Sequence, residues 1–188
     1  KSKQNLENAC KSRQLDSTNE IILKAITEHI ENASSCLNRM RMGLKKLRYC
    51  PEDEYSNYIR EAFTLANESI RISQDEPPIF RERDSFKWRP FQIAFQLLNL
   101  NGLLATENDD DGRDEREIID LAWFPTGGGK TEAYLGLIAT IGFFRRLRYP
   151  DKESKPSVHA IMRYTLRLLT MDQGERLVRL VGAMNIVA

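Results

Sequence analysis

Between Asn19 and about Tyr49, the positions Ile22, Ala25, Ile26, Ile30, Ala33, Leu37, Met40, Leu44 and Leu47 recur with helical spacing, which predicts an amphipathic helix. Pro51 stops it, and Glu52, Asp53 and Glu54 suit the positive pole of a second helix that runs to about Ser73. Tyr58, Ala62, Phe63, Leu65, Ala66, Ile70 and Ile72 supply its apolar face. Two consecutive helices on a short turn predict an antiparallel hairpin. Residues 1–20 are polar and carry few apolar anchors. Pro77 and Pro78 force an extended path after the second helix and mark a boundary. A strongly apolar helix is expected next, at about Phe91–Leu100, stopped by Asn101-Gly102.

The rest of the pattern changes period. Residues 106–116 are acidic and contain no hydrophobic side chain, as in a solvated insertion rather than a calcium loop, whose spacing they lack. Ile118 to Phe124 forms an apolar run expected to be a short buried strand, followed by a helix from Thr131 to about Arg146. Ser157 to Met162 predicts a second strand, and about Leu168 to Ile186 a final helix. Strand, helix, strand, helix is the start of a parallel α/β sheet with right-handed crossovers. The expected organisation is thus a helical region over residues 1–76 and an incomplete α/β domain over residues 77–188.

Composition narrows the class only a little. The 188 residues are 41% hydrophobic and 29% charged with a formal net charge of +1, so no global basic field points to nucleic acid. Local cations remain, and Arg39, Arg41, Lys45, Lys46 and Arg48 cluster at the end of the first helix, where they suit its dipole or could meet a phosphate backbone. Cys10, Cys36 and Cys50 show neither paired nor metal-ligand spacing, which suggests buried or inert thiols in a reducing, cytoplasmic setting. No apolar run approaches the roughly 18 residues of a membrane span, so no membrane partner is expected. The sequence does not begin with Met and stops inside an apolar helical pattern, so it is expected to be a piece of a larger protein.

The chemistry concentrates between the first expected strand and the helix after it. Trp123-Phe124-Pro125-Thr126-Gly127-Gly128-Gly129-Lys130-Thr131-Glu132 reads as a loop that holds the phosphates of a nucleoside triphosphate. Three glycines let backbone amides approach an anion, Lys130 brings a charge to the β- and γ-phosphates, and the Thr131 hydroxyl is placed to ligate Mg²⁺. The phosphates would sit at a helix N-terminus. Phe124 stands where the strict pattern has a glycine. Residues 125–131 fit the relaxed loop of helicases and translocases, Pro/Ala-Thr-Gly-x-Gly-Lys-Thr.

Three further segments carry a resemblance. Trp88-Arg89-Pro90-Phe91-Gln92 with Phe95-Gln96-Leu97-Leu98-Asn99-Leu100, the glycine loop continued through Ala133-Tyr134-Leu135-Gly136, and Met162-Arg163-Tyr164-Thr165-Leu166-Arg167-Leu168-Leu169-Thr170 with Gln173 and Arg176 resemble the first motor domain of superfamily 2 helicases. More closely, they are similar to the helicase subunit of the DISARM anti-phage defence systems, the DrmA-like group. Glu61 to Asn67 is a weaker echo, and the likeness covers about half of the chain well. It implies a RecA-like sheet, ATP and Mg²⁺ as cofactors, DNA contacted through its phosphate backbone, single-stranded by preference, and other defence subunits as partners. Gln92 would read the adenine edge, with Arg89 supporting it or stacking on the base; the alternative for Gln92 is a helix-surface amide. Thr126, Gly127, Gly128, Gly129, Lys130 and Thr131 would hold the triphosphate, with Lys130 and Thr131 as the catalytic pair and Thr131 on Mg²⁺. Arg163, Tyr164, Thr165 and Arg167 would contact the strand; the alternative is a strand-end loop with surface arginines. His159 is expected to be a packing residue.

The acidic Asp-Glu-x-His box of this superfamily has no match after Thr131, and Asp120 lies before the loop. This chain alone is therefore expected to bind ATP weakly or not at all and not to turn it over. Two other functions remain: a non-motor P-loop NTPase, or a helical docking module with a vestigial nucleotide site.

Overall fold

The computed structural model describes residues 17–74, 86–105, 114–123, 129–150, 158–163 and 167–188. Five helices run through them: α1 (Ser17–Lys46), α2 (Glu54–Gln74), α3 (Pro90–Leu103), α4 (Lys130–Arg148) and α5 (Arg167–Val187). The chain divides into two compact units, Lys1–Arg39 and Met40–Ala188. The described part of the first is the leading stretch of α1, where Ile21, Ile22 and Leu37 remain exposed.

The second unit holds the core. Ile59, Ala62, Ala66 and Ile70 lie three or four residues apart on α2, all essentially inaccessible, and cluster with Leu135, Ala139 and Phe143 of α4 and Leu180 of α5. The alanines let the helix axes approach while the branched chains fill the seam. Tyr55 near the start of α2 meets Phe144 near the end of α4, ring edge to face at 5.4 Å, so these two helices run antiparallel. By contrast, Phe95 and Gln96 of α3 lie against Tyr134 and Gly136 of α4. Glu132 and Gly142 of α4 likewise meet Arg176 and Met184 of α5 in the same order. Hence α3, α4 and α5 run parallel and begin at one end, whereas α2 begins at the other.

Local signals explain the helix limits. Asp53 caps α2, its carboxylate accepting from the Ser56 amide at 3.1 Å and the Ser56 hydroxyl at 2.5 Å. These bonds hold the Asp53 carboxyl below its ordinary value of 3.8. Pro90 occupies the first position of α3, where its missing N–H costs nothing. α3 runs three residues past Leu100 and ends just after Asn101-Gly102, where Arg116 donates to the Gly102 carbonyl at 2.9 Å and Asn101 donates to Glu115 at 2.9 Å.

The α/β expectation is corrected here, and with it the RecA-like parallel sheet. No strand occurs among the described residues. Ile119, Leu121 and Trp123 of the first expected strand are 95%, 85% and 86% exposed, and Val158 and Ile161 of the second are 77% and 81% exposed. A strand exists only when a neighbour takes up its N–H and C=O groups, and an apolar run says nothing about where that neighbour is. Met162 does pack on the helical core, and a groove of about 420 Å³ separates residues 160–163 from Phe95, Tyr134 and Ile138. Among the described residues, no helix is long and apolar enough to cross a membrane.

Candidate functional site

At the end where α3 and α4 begin, Arg89, Gln92, Gly129, Lys130 and Thr131 come together. Gly129 caps α4 with φ 85° and ψ 29°, the left-handed conformation that disfavours any side chain. A Cβ there would also lie 2.6 Å from the Gln92 amide nitrogen. Lys130 and Thr131 follow as the first two residues of α4, both half-buried. Thr126, Gly127 and Gly128 lie outside the described residues.

Gln92 joins the two helix starts. Its Nε2 donates to the Gly129 carbonyl at 2.7 Å, and its Oε1 accepts from the Arg89 backbone N–H at 2.8 Å. The side chain is buried rather than on the helix surface. In this arrangement the amide works as a brace that fixes the last residue of the glycine loop against the N-terminus of α3. Arg89 stands exposed beside it.

Behind Gln92 the same face of α3 presents Gln96, 1% exposed, with neither amide atom bonded to protein. Gly136 makes room for it, since a Cβ at that position would fall 2.9 Å from Gln96 Oε1 and 3.2 Å from the Trp88 ring. Trp88 is anchored in turn by its indole N–H, which donates to Asn67 Oδ1 on α2 at 2.5 Å. The aromatic and amide residues of the Trp88-to-Gln96 segment thus support the start of α4 from below.

Glu132, in the first turn of α4, is 9% exposed and pairs through Oε1 with Arg176 of α5 at 2.7 Å. Arg176 also reaches Asp172 at 3.2 Å, and Asp172 accepts from Gln173 at 3.0 Å. Gln173 and Arg176 stand out in the sequence only through the family likeness. Glu132 carries one usable signal there, an acid in the first turn of a helix. Arg163 is exposed at the end of the segment that precedes α5. Tyr164 and Thr165 lie outside the described residues, as does the side chain of Arg167, whose backbone opens α5. His159 is half-buried. Cys36 and Cys50 are free thiols and exposed rather than buried; Cys10 lies outside the described residues.

The residues present suit a triphosphate and its Mg²⁺. A 19-residue helix directs its first-turn N–H groups to this end, a left-handed glycine caps it without a side-chain hydrogen bond, and a lysine and a hydroxyl follow at once. Glu132, a carboxylate buried in the first turn of α4, is offset by Arg176.

No family model matches the chain, and no solved structure matches it. Among curated proteins, the DISARM protein DrmA of Bacillus paralicheniformis is 39% identical over 175 residues. That alignment covers 85% of this chain but 15% of the relative, so the chain spans a small part of the length of the protein it matches. Over the shared residues, the chain is similar to that DISARM protein.

Proposed function

We propose that the common end of α3, α4 and α5 holds the triphosphate of ATP with Mg²⁺. We propose too that the protein to which this segment contributes is an ATP-driven DNA translocase or helicase subunit of a DISARM anti-phage defence system. One observation carries the reading: a left-handed glycine cap leads directly into Lys130 and Thr131 at the start of a long helix. The similarity to a DISARM protein DrmA supports the defence role and a requirement for other defence subunits.

In this reading, the amides of the loop from Thr126 to Gly129 and of the first turn of α4 bind phosphate oxygens. Lys130 neutralises the terminal phosphates, and Thr131 holds the metal. Mg²⁺ held by Thr131 would neutralise phosphate charge. Gln92 keeps the Gly129 carbonyl turned away from the anion while Arg89 meets the base, and Gln92 reaches the adenine edge only on releasing that carbonyl. Arg163, Tyr164, Thr165 and Arg167 grip the backbone of a single DNA strand. The chain alone does not turn ATP over, because its sequence has no acidic box after Thr131.

Lys130→Ala in the full-length protein tests this. Binding of a fluorescent ATP analogue with Mg²⁺ should weaken at least about tenfold, and DNA-stimulated hydrolysis should disappear. Unchanged binding and hydrolysis would refute the nucleotide site, and hydrolysis indifferent to DNA would refute the motor in favour of a non-motor NTPase.

A further inference from the structure

Glu132 poses an electrostatic problem at this end. Its carboxylate lies in the first turn of α4 with its Oε2 inaccessible to solvent and unbonded to protein, 3.3 Å from where a Gly129 Cβ would stand. A buried anion there competes with a triphosphate for the same positive helix terminus and repels it. Removing a charge from water also costs free energy unless a partner offsets it. The partner is Arg176, which belongs to a different helix and divides its guanidinium between Glu132 and Asp172.

We infer that Arg176 is a positioning residue for the ATP site: by neutralising Glu132 it lets the start of α4 accept a triphosphate, so nucleotide affinity depends on where α5 carries that guanidinium. This deepens the nucleotide reading above and rests on it. Geometry favours a device over a chance surface pair. The Glu132 side chain is 12% exposed and that of Arg176 34%, while the competing Asp172 side chain is 50% exposed. Arg176 therefore has one partner in a fixed, desolvated place and another in solvent. The parallel course of α4 and α5 sets Arg167 nine residues ahead of Arg176, about 13 Å along the axis at a helical rise of about 1.5 Å per residue. The start of α5, just after Arg163, thus projects beyond the start of α4 on the side where the triphosphate is proposed to bind. A displacement of α5 that carried Arg176 away from Glu132, leaving it paired with Asp172 on its own helix, would restore the repulsion.

The test uses the full-length protein and the affinity for a fluorescent ATP analogue with Mg²⁺. Arg176→Gln leaves Glu132 uncompensated and should weaken binding at least about tenfold. Glu132→Gln, nearly isosteric, should bind within about twofold of wild type. The double variant E132Q/R176Q should recover affinity to within about threefold of wild type, which loss of a merely structural contact would not produce. Arg176→Lys keeps the charge and should bind near wild type, so the inference stays testable if Arg176→Gln does not fold. Wild-type affinity in Arg176→Gln, or a double variant as weak as Arg176→Gln, overturns it. Lys130→Ala separates the two levels: binding that ignores Lys130 brings down the nucleotide reading together with this one. Binding that needs Lys130 but ignores Arg176 brings down this one alone.

Discussion

Where α2 begins and α4 ends, the helices are closed by rings and aliphatic chains: Tyr55 stands edge-on to Phe144, its hydroxyl donates to the Leu104 carbonyl, and the Lys46 ammonium lies 5.9 Å from its ring centroid. At the opposite end, where α3, α4 and α5 begin, the buried polar positions include Gln92, Gln96, Glu132 and Gln173. The first end leaves two buried amide oxygens, Asn57 Oδ1 and Asn101 Oδ1, without a hydrogen-bond partner. The second keeps both amide atoms of Gln96, Oε2 of Glu132 and Oε1 of Gln173 without a protein partner. Interiors rarely tolerate such groups without a reason, since each forfeits about 1–3 kcal/mol of hydration. Of these, Glu132 Oε2 stands beside the left-handed glycine, 3.3 Å from where its Cβ would lie, and the aliphatic seam between α2 and α4 offsets the loss.

Substitutions can break this division of labour, beginning with the seam itself. Leu135→Ala deletes a fully buried side chain from the cluster and should destabilise the protein by about 2–5 kcal/mol in urea unfolding. Nucleotide affinity measured well below the melting temperature should stay unchanged. A large affinity loss in the folded variant would mean that the two ends are not separable. Gly129→Ala attacks the other end. Forcing an L-residue into the left-handed region costs about 1–2 kcal/mol, and the new methyl would displace the Gln92 amide. Here affinity should fall well beyond the small drop in melting temperature, and equal affinity would sever the glycine cap from binding.

The smallest effect belongs to the cap of α2. Asp53→Ala should cost about 1 kcal/mol with no effect on nucleotide. Its pH dependence has a definite sign. The folded carboxyl titrates below its ordinary value of 3.8, so its contribution is complete above that pH and is lost as pH falls through the lower folded value. Wild type and Asp53→Ala should therefore converge in acid-unfolding curves only below about pH 4, and a gap that widened on acidification would contradict the cap.

The sequence makes the helices legible and the pairing across the chain illegible. Apolar spacing from Ile22 to Leu47 and from Tyr58 to Ile72 places α1 and α2 to within a few residues, because a helix closes its own hydrogen bonds. The runs 118–124 and 157–162 show the same apolarity, yet a strand borrows its bonds from elsewhere, and Trp123 and Ile161 stand in solvent. The site divides in the same way. Gly129 and Lys130 are readable because loop and helix are contiguous. The brace from Gln92 spans 37 residues and the ion pair of Glu132 with Arg176 spans 44, distances over which no local pattern speaks. An amide at position 92 looks the same in sequence whether it greets a base or a carbonyl.

Three helices that run parallel do not cancel one another's dipoles as a fully antiparallel bundle does. Their fields add toward the Gly129 end at roughly half a positive charge per helix, and the C-terminus of antiparallel α2 subtracts one such share. A polyanion diffusing nearby is drawn toward that pole before it touches any residue, and dissolved salt, which shortens the reach of such fields to about 8 Å at physiological strength, should slow its capture more than its escape.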